Sequence, residues 1–118
     1  NYKSAMKLPC GITVSSPKQN EQISFPFTVK GYAGGCGWDP VNYGDVGTVD
    51  VIGQNGLVLS RTKIKTKDQV GDTPYYFEAQ IDVPAGFIQD SGMFIFRNAQ
   101  TGINTKEYQV PVLFKTNI

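Results

Sequence analysis

From Phe25 to Ala33, apolar residues take every second place. Phe25, Phe27, Val29, Gly31 and Ala33 fall on one side of an extended chain and Thr28, Lys30 and Tyr32 on the other, the period of a strand with one buried face. No stretch of useful length carries a 3.6-residue helical period; residues 85–92 offer one turn at most. A chain patterned in this way must bury its apolar side by packing sheet against sheet.

The other strands follow from the same alternation. Ile12-Thr-Val-Ser15 predicts a short first strand stopped by Pro17, with a turn through residues 18–21 before the strand of Phe25 to Ala33. Residues 46–54 and 57–64 predict a hairpin about Asn55-Gly56, a pair that suits the positive φ of a tight turn. In a two-residue register Ile52 faces Leu59 and Asp50 faces Arg61, while Val49, Val51 and Val58 share the inward side.

Tyr75, Phe77, Ala79, Ile81 and Val83 make the clearest half-buried strand, Met93 to Phe96 a central one, and Tyr108 to Phe114 the last. Pro111, which lacks an N–H, places that last strand at an edge. About seven short strands in 118 residues predict an all-β, immunoglobulin-like, two-sheet antiparallel sandwich over residues 11–118, with residues 1–10 as a polar linker.

Composition narrows the function classes. The formal charge is +1 with 18% charged residues, too balanced for a nucleic-acid footprint, and no apolar run is long enough to span a bilayer as a helix. The absence of histidine excludes Ser-His-Asp and Cys-His catalysis, a histidine general base and the commonest zinc sets. The carboxylates lie in predicted turns or on solvent faces, away from a sheltered cleft, so no catalytic residue, cofactor or metal is assigned and a non-enzymatic role is expected.

Cys10 precedes the first predicted strand, and Cys36 lies in a glycine-rich loop that opens from the second. One disulfide in an oxidising compartment is expected, the alternative being two free thiols. Closing a loop of that length contributes roughly 3 to 4 kcal/mol on the chain-entropy model. The first residue is Asn1 rather than Met, so removal of an upstream segment, or a piece of a longer protein, is expected.

The order of pieces carries a resemblance: Ile12-Thr-Val-Ser-Ser-Pro17, Pro26-Phe-Thr-Val-Lys-Gly31-Tyr-Ala, Val49-Asp-Val with Asn55-Gly-Leu-Val-Leu59, Phe77-Glu-Ala79, Gly92-Met-Phe-Ile-Phe96 and Val110-Pro-Val112. Residues 12–114 resemble the immunoglobulin-like domain family associated with bacterial spore germination, which also occurs in bacterial lipoproteins and secreted proteins. The resemblance implies a cell-envelope or secreted, non-enzymatic module appended to other domains; a monomeric domain within a larger extracytoplasmic protein that binds or spaces is expected. It carries over no catalytic residue. The longer 34–47 loop of this chain departs from the family pattern.

That loop holds the candidate ligand contacts Trp38, Asp39, Tyr43 and Asp45. The aromatics suit a sugar ring or a protein surface, although a large aromatic equally suits the core. Asp39, Asn42 and Asp45 offer oxygens of the kind calcium accepts, without EF-hand spacing, and Asp and Asn also favour turns by bonding their own backbone. Arg61, Lys63, Lys65 and Lys67 alternate along one strand face, suited to an anionic wall polymer or to guarding a sheet edge. Expected partners are a protein or a cell-wall polysaccharide, with a protein inhibitor presenting the same loop as a further reading.

Overall fold

The computed structural model describes residues 11–34, 36–38, 41, 44–54, 56–66, 75–83, 91–99 and 105–114. These residues are all-β. Eight strands run in the order β1 (Gly11–Ser16), β2 (Glu21–Ile23), β3 (Phe27–Gly34), β4 (Asp45–Gly53), β5 (Val58–Thr66), β6 (Tyr75–Ile81), β7 (Ser91–Asn98) and β8 (Glu107–Phe114). They are hydrogen-bonded as one mixed sheet in the order β1-β3-β6-β5-β4-β7-β8-β2, with β2 parallel to β8 and every other pair antiparallel.

Sheet order and chain order together force a curl. β1 and β2 are consecutive in the chain, yet they occupy opposite ends of the hydrogen-bond order. A flat sheet of eight strands would hold its edges roughly 33 Å apart, whereas the connection through Pro17, Lys18, Gln19 and Asn20 spans at most roughly 17 Å. The sheet therefore folds back on itself. Phe27 on β3 and Phe94 on β7 meet edge to face with ring centroids 6.0 Å apart, and Phe77 on β6 meets Phe96 on β7 at 6.4 Å.

The core fills the inside of that curl. Val29, Ala33, Val46, Val49, Val51, Ile64, Phe77, Ile81, Phe94 and Phe96 are fully buried, with Ile23, Val110, Val112 and Phe114 almost so. Removing each large side chain from water stabilises the fold by about 1.5–3 kcal/mol. The predicted inward alternation of β3 and β6 is the one observed.

The structure differs from the sequence expectation in three places. The turn expected at 18–21 is followed by a short strand, β2, which is held against β8 by backbone pairing and by the buried Ile23; three residues are too few to display a period. As a result β8 is not an edge along its second half. Pro111 lies where its missing N–H costs nothing, and its carbonyl accepts from the Asn20 amide at 2.7 Å.

The hairpin register also shifts. Asp50 faces Arg61 as expected, but a bulge between Val51 and Ile52 sets Ile52 opposite Val58 rather than Leu59. Gly56 donates to the Gly53 carbonyl and Gly53 to that of Leu57, a wider turn than two residues, and Val58 ends up exposed. Thirdly, eight strands in one curled sheet stand where about seven in two sheets were expected. The helical-turn candidate at 85–92 falls mainly outside the described residues.

Gly11 lies against Trp38, and the neighbouring Gly37 packs under the stem of Lys106, which immediately precedes β8. Phe114, at the far end of β8, pairs with Ile23. Residues 11 and 114 thus stand at opposite ends of the strands.

Candidate functional site: the 36–38 loop and the β4–β5 charges

β1 and β3 pair through to Gly11 opposite Gly34 at the end of the sheet from which the loop sets out. Cys36 is exposed and has φ 52, and Gly37 follows with φ 90. That positive φ favours glycine at 37, where a Cβ would also come within 2.9 Å of the Lys106 stem. Trp38 then turns inward and is only 5% exposed.

Asn98 holds this loop from the β7 side. Its Nδ2 donates to the Gly37 carbonyl at 2.5 Å and its Oδ1 accepts from the Lys106 amide at 2.8 Å. A buried amide that satisfies two backbone groups from different segments keeps both in place. On the other side of the loop, Val41 and Asp45 exchange both backbone hydrogen bonds, and the Gly44 carbonyl accepts from the Thr66 amide at 2.9 Å.

Of the sequence-derived ligand contacts, Trp38 belongs to the core and is not available to stack on a sugar ring. Asp45 is half-buried at the start of β4, where its Oδ2 accepts from Lys63 Nζ at 2.7 Å. The other oxygen, Oδ1, is buried with no hydrogen-bond partner among the described residues. Asp39, Asn42 and Tyr43 lie outside the described residues, as do Cys10 and Lys67. No cluster of metal-ligating side chains occurs among the described residues.

The basic row forms as an alternating exposed face of Arg61, Lys63 and Lys65, but its charges are largely answered. Lys63 meets Asp45, and Lys65 lies opposite Glu78 of β6. Arg61 grips Asp50 through both oxygens, and Arg97 of β7 reaches the same carboxylate, with Nη1 2.5 Å from Oδ2. Arg97 Nη2 continues to Glu107 Oε2 at 3.1 Å, so four charges form a ladder across β5, β4, β7 and β8.

Asp50 is 1% exposed. Burial pushes its carboxyl up, but the hydrogen bonds and charges of Arg61 and Arg97 outweigh this and hold it below the usual carboxylate range. Arg61 is in turn held above its ordinary value by the bond to Asp50. The contact of Asp50 with Arg61 was open to sequence reasoning through the hairpin register. Arg97, Glu107 and Asn98 were not, because β7 and β8 reach them from far along the chain.

No family model, curated protein or solved structure matches the chain.

The exposed face of β3 and β6 carries one further aromatic pair. Tyr32 and Tyr76 meet edge to face at 5.3 Å, and the Tyr76 hydroxyl donates to Glu78 Oε2 at 3.0 Å. Tyr76 is thus half-buried beside Tyr32.

Proposed function

We propose that the chain is an immunoglobulin-like, non-enzymatic binding or spacer module of the bacterial cell envelope, of the kind its strand order resembles, acting through protein contacts at the 34–47 loop. One observation carries the reading. The described residues of the loop are anchored at one end of the sheet: Trp38 in the core, Gly37 through Asn98, and Val41 with Asp45 in a backbone bridge. Binding through pre-ordered loops loses little entropy on association.

The two-layer reading rests on the narrow junction of β5 with β6, where, among the described residues, Lys65 pairs with Glu78 and Thr66 with Phe77. The meeting of Phe27 on β3 with Phe94 on β7, and of Phe77 on β6 with Phe96 on β7, supports reading β1-β3-β6 and β5-β4-β7-β8-β2 as the two layers. Cys36 is not a free thiol, and Cys10 is the partner this reading assigns it, in keeping with an extracytoplasmic setting. The sugar-platform alternative is the weaker one, because its central residue, Trp38, is buried.

Retention of the domain on isolated envelope protein and on cell-wall polymer tests the proposal. The expected result is retention on envelope protein that is lost in the paired variant Asp39→Ala, Tyr43→Ala while thermal stability is unchanged. No retention, or retention indifferent to the pair, would sink it. Intact mass after alkylation without reductant tests the bridge: two alkyl adducts would remove it.

A further inference from the structure

β2 covers only the second half of β8, pairing with Val112, Leu113 and Phe114. Which backbone groups this leaves open follows from Pro111. It has no N–H and its carbonyl points to Asn20, so its pairing with Met93 is of the non-hydrogen-bonded kind. Alternation then makes Ile95 with Gln109 and Arg97 with Glu107 the same kind, so Glu107 and Gln109 turn their N–H and C=O groups away from β7. Among the described residues, no backbone group answers them on that side.

Beside this stretch lies a groove of about 340 Å³ lined by Val14, Pro17, Lys18, Gln19, Tyr108, Gln109 and Val110. Its lining is mixed: Pro17 and Val110 are buried, so its apolar surface comes from the half-buried Val14 and the exposed Tyr108. Lys18 and Tyr108 are exposed, and Lys18 forms no ion pair among the described residues.

We propose that the open half of β8 binds an extended peptide by strand addition. The peptide continues the line of β2 across Glu107 and Gln109, lays an apolar side chain against Val14 and Tyr108, and brings an acidic residue to Lys18. Main-chain bonds supply affinity and the pocket supplies selectivity. The shape selects a lone strand over a second copy of the domain. The residue 17–19 turn walls the groove, and a β8 edge arriving from another copy would bring its own turn into the same space.

The inference does not depend on the 34–47 loop, since Gln109→Pro alters only the open edge. The probe is an acetylated, amidated heptapeptide alternating valine with threonine and one aspartate, added at millimolar concentration to the isotope-labelled domain. Exchange of the Glu107 and Gln109 amides is expected to slow by about tenfold as they become bonded. Gln109→Pro is expected to remove binding without unfolding the domain, and Lys18→Glu to weaken it by about threefold. A peptide N-methylated along one edge is expected to fail.

Unchanged exchange at the solubility limit of the peptide overturns the proposal, as does binding that survives Gln109→Pro. Protection that grows with protein concentration in the absence of peptide overturns it in favour of a second copy.

Discussion

The Asp50 carboxylate meets the Arg61 guanidinium through two parallel bonds, Nε to Oδ1 at 2.8 Å and Nη2 to Oδ2 at 2.9 Å, across neighbouring strands. Arg97 reaches the same buried carboxylate from the other side. Removing either arginine leaves one guanidinium in place, whereas removing both leaves a buried carboxylate unpaired, a state that costs about 3–5 kcal/mol. Arg61→Ala and Arg97→Ala are each expected to cost little and the double variant more than their sum. Urea unfolding of the four proteins checks this, and simple additivity would refute it.

The same site sets an acid dependence. The Asp50 pKa is lower folded than unfolded, so its contribution is present above the unfolded value and is lost as pH falls through the folded one. In the double arginine variant burial acts alone and the sign reverses: the folded pKa rises, and stability increases as pH falls through it. Thermal midpoints between neutral pH and acid, set against Asp50→Asn, which lacks the titrating group, should separate the three behaviours.

Gly47 has φ 142 at the bulge where β4 begins, and a Cβ there would collide with the Arg97 carbonyl on β7. The obstacle is backbone inside a sheet, so it cannot swing away. Gly47→Ala is expected to cost about 2–4 kcal/mol, measured by urea midpoint. A cost below that of an exposed Gly56→Ala control, where nothing lies near, would contradict the geometry.

Trp38 is the one tryptophan of the chain and is buried. Its fluorescence is expected to be blue-shifted in the native protein, poorly quenched by iodide, and to move to the red on unfolding. Trp38→Ala should cost about 3–5 kcal/mol. Native emission at the wavelength of a hydrated indole would mean that the loop is not seated as described.

Asn98→Ala strips the Gly37 carbonyl and the Lys106 amide of their partner at once, at a cost of about 0.5–1.5 kcal/mol for each hydrogen bond lost. Faster hydrogen exchange at Lys106 would report the loss locally. Unaltered exchange there would show that the amide is not held by Asn98.

What could be read from the residues, and what could not, divides by range. The alternation of Phe27 to Ala33 and of Tyr75 to Ile81 is a local property of the chain, and both strands bury the predicted faces. The contact of Asp50 with Arg61 was legible because a hairpin makes distant residues local. Its bulge was not, since Asn55-Gly56 suits several turn widths. β2 escaped because its partner, β8, lies most of the chain away. Trp38 stood open between a ligand platform and the core, and it is seated in the core: a glycine-rich loop says that the backbone can bend, but not that Asn98 will hold it from β7.

Because residues 11 and 114 stand at opposite ends of the strands, tension applied between them runs lengthwise along β1 and β8. The ladders these strands make with β3 and β7 would then be loaded together, bond beside bond, instead of peeling open one at a time. Linked in series, copies of such a unit would extend a polypeptide outward without doubling it back, and would yield abruptly under load.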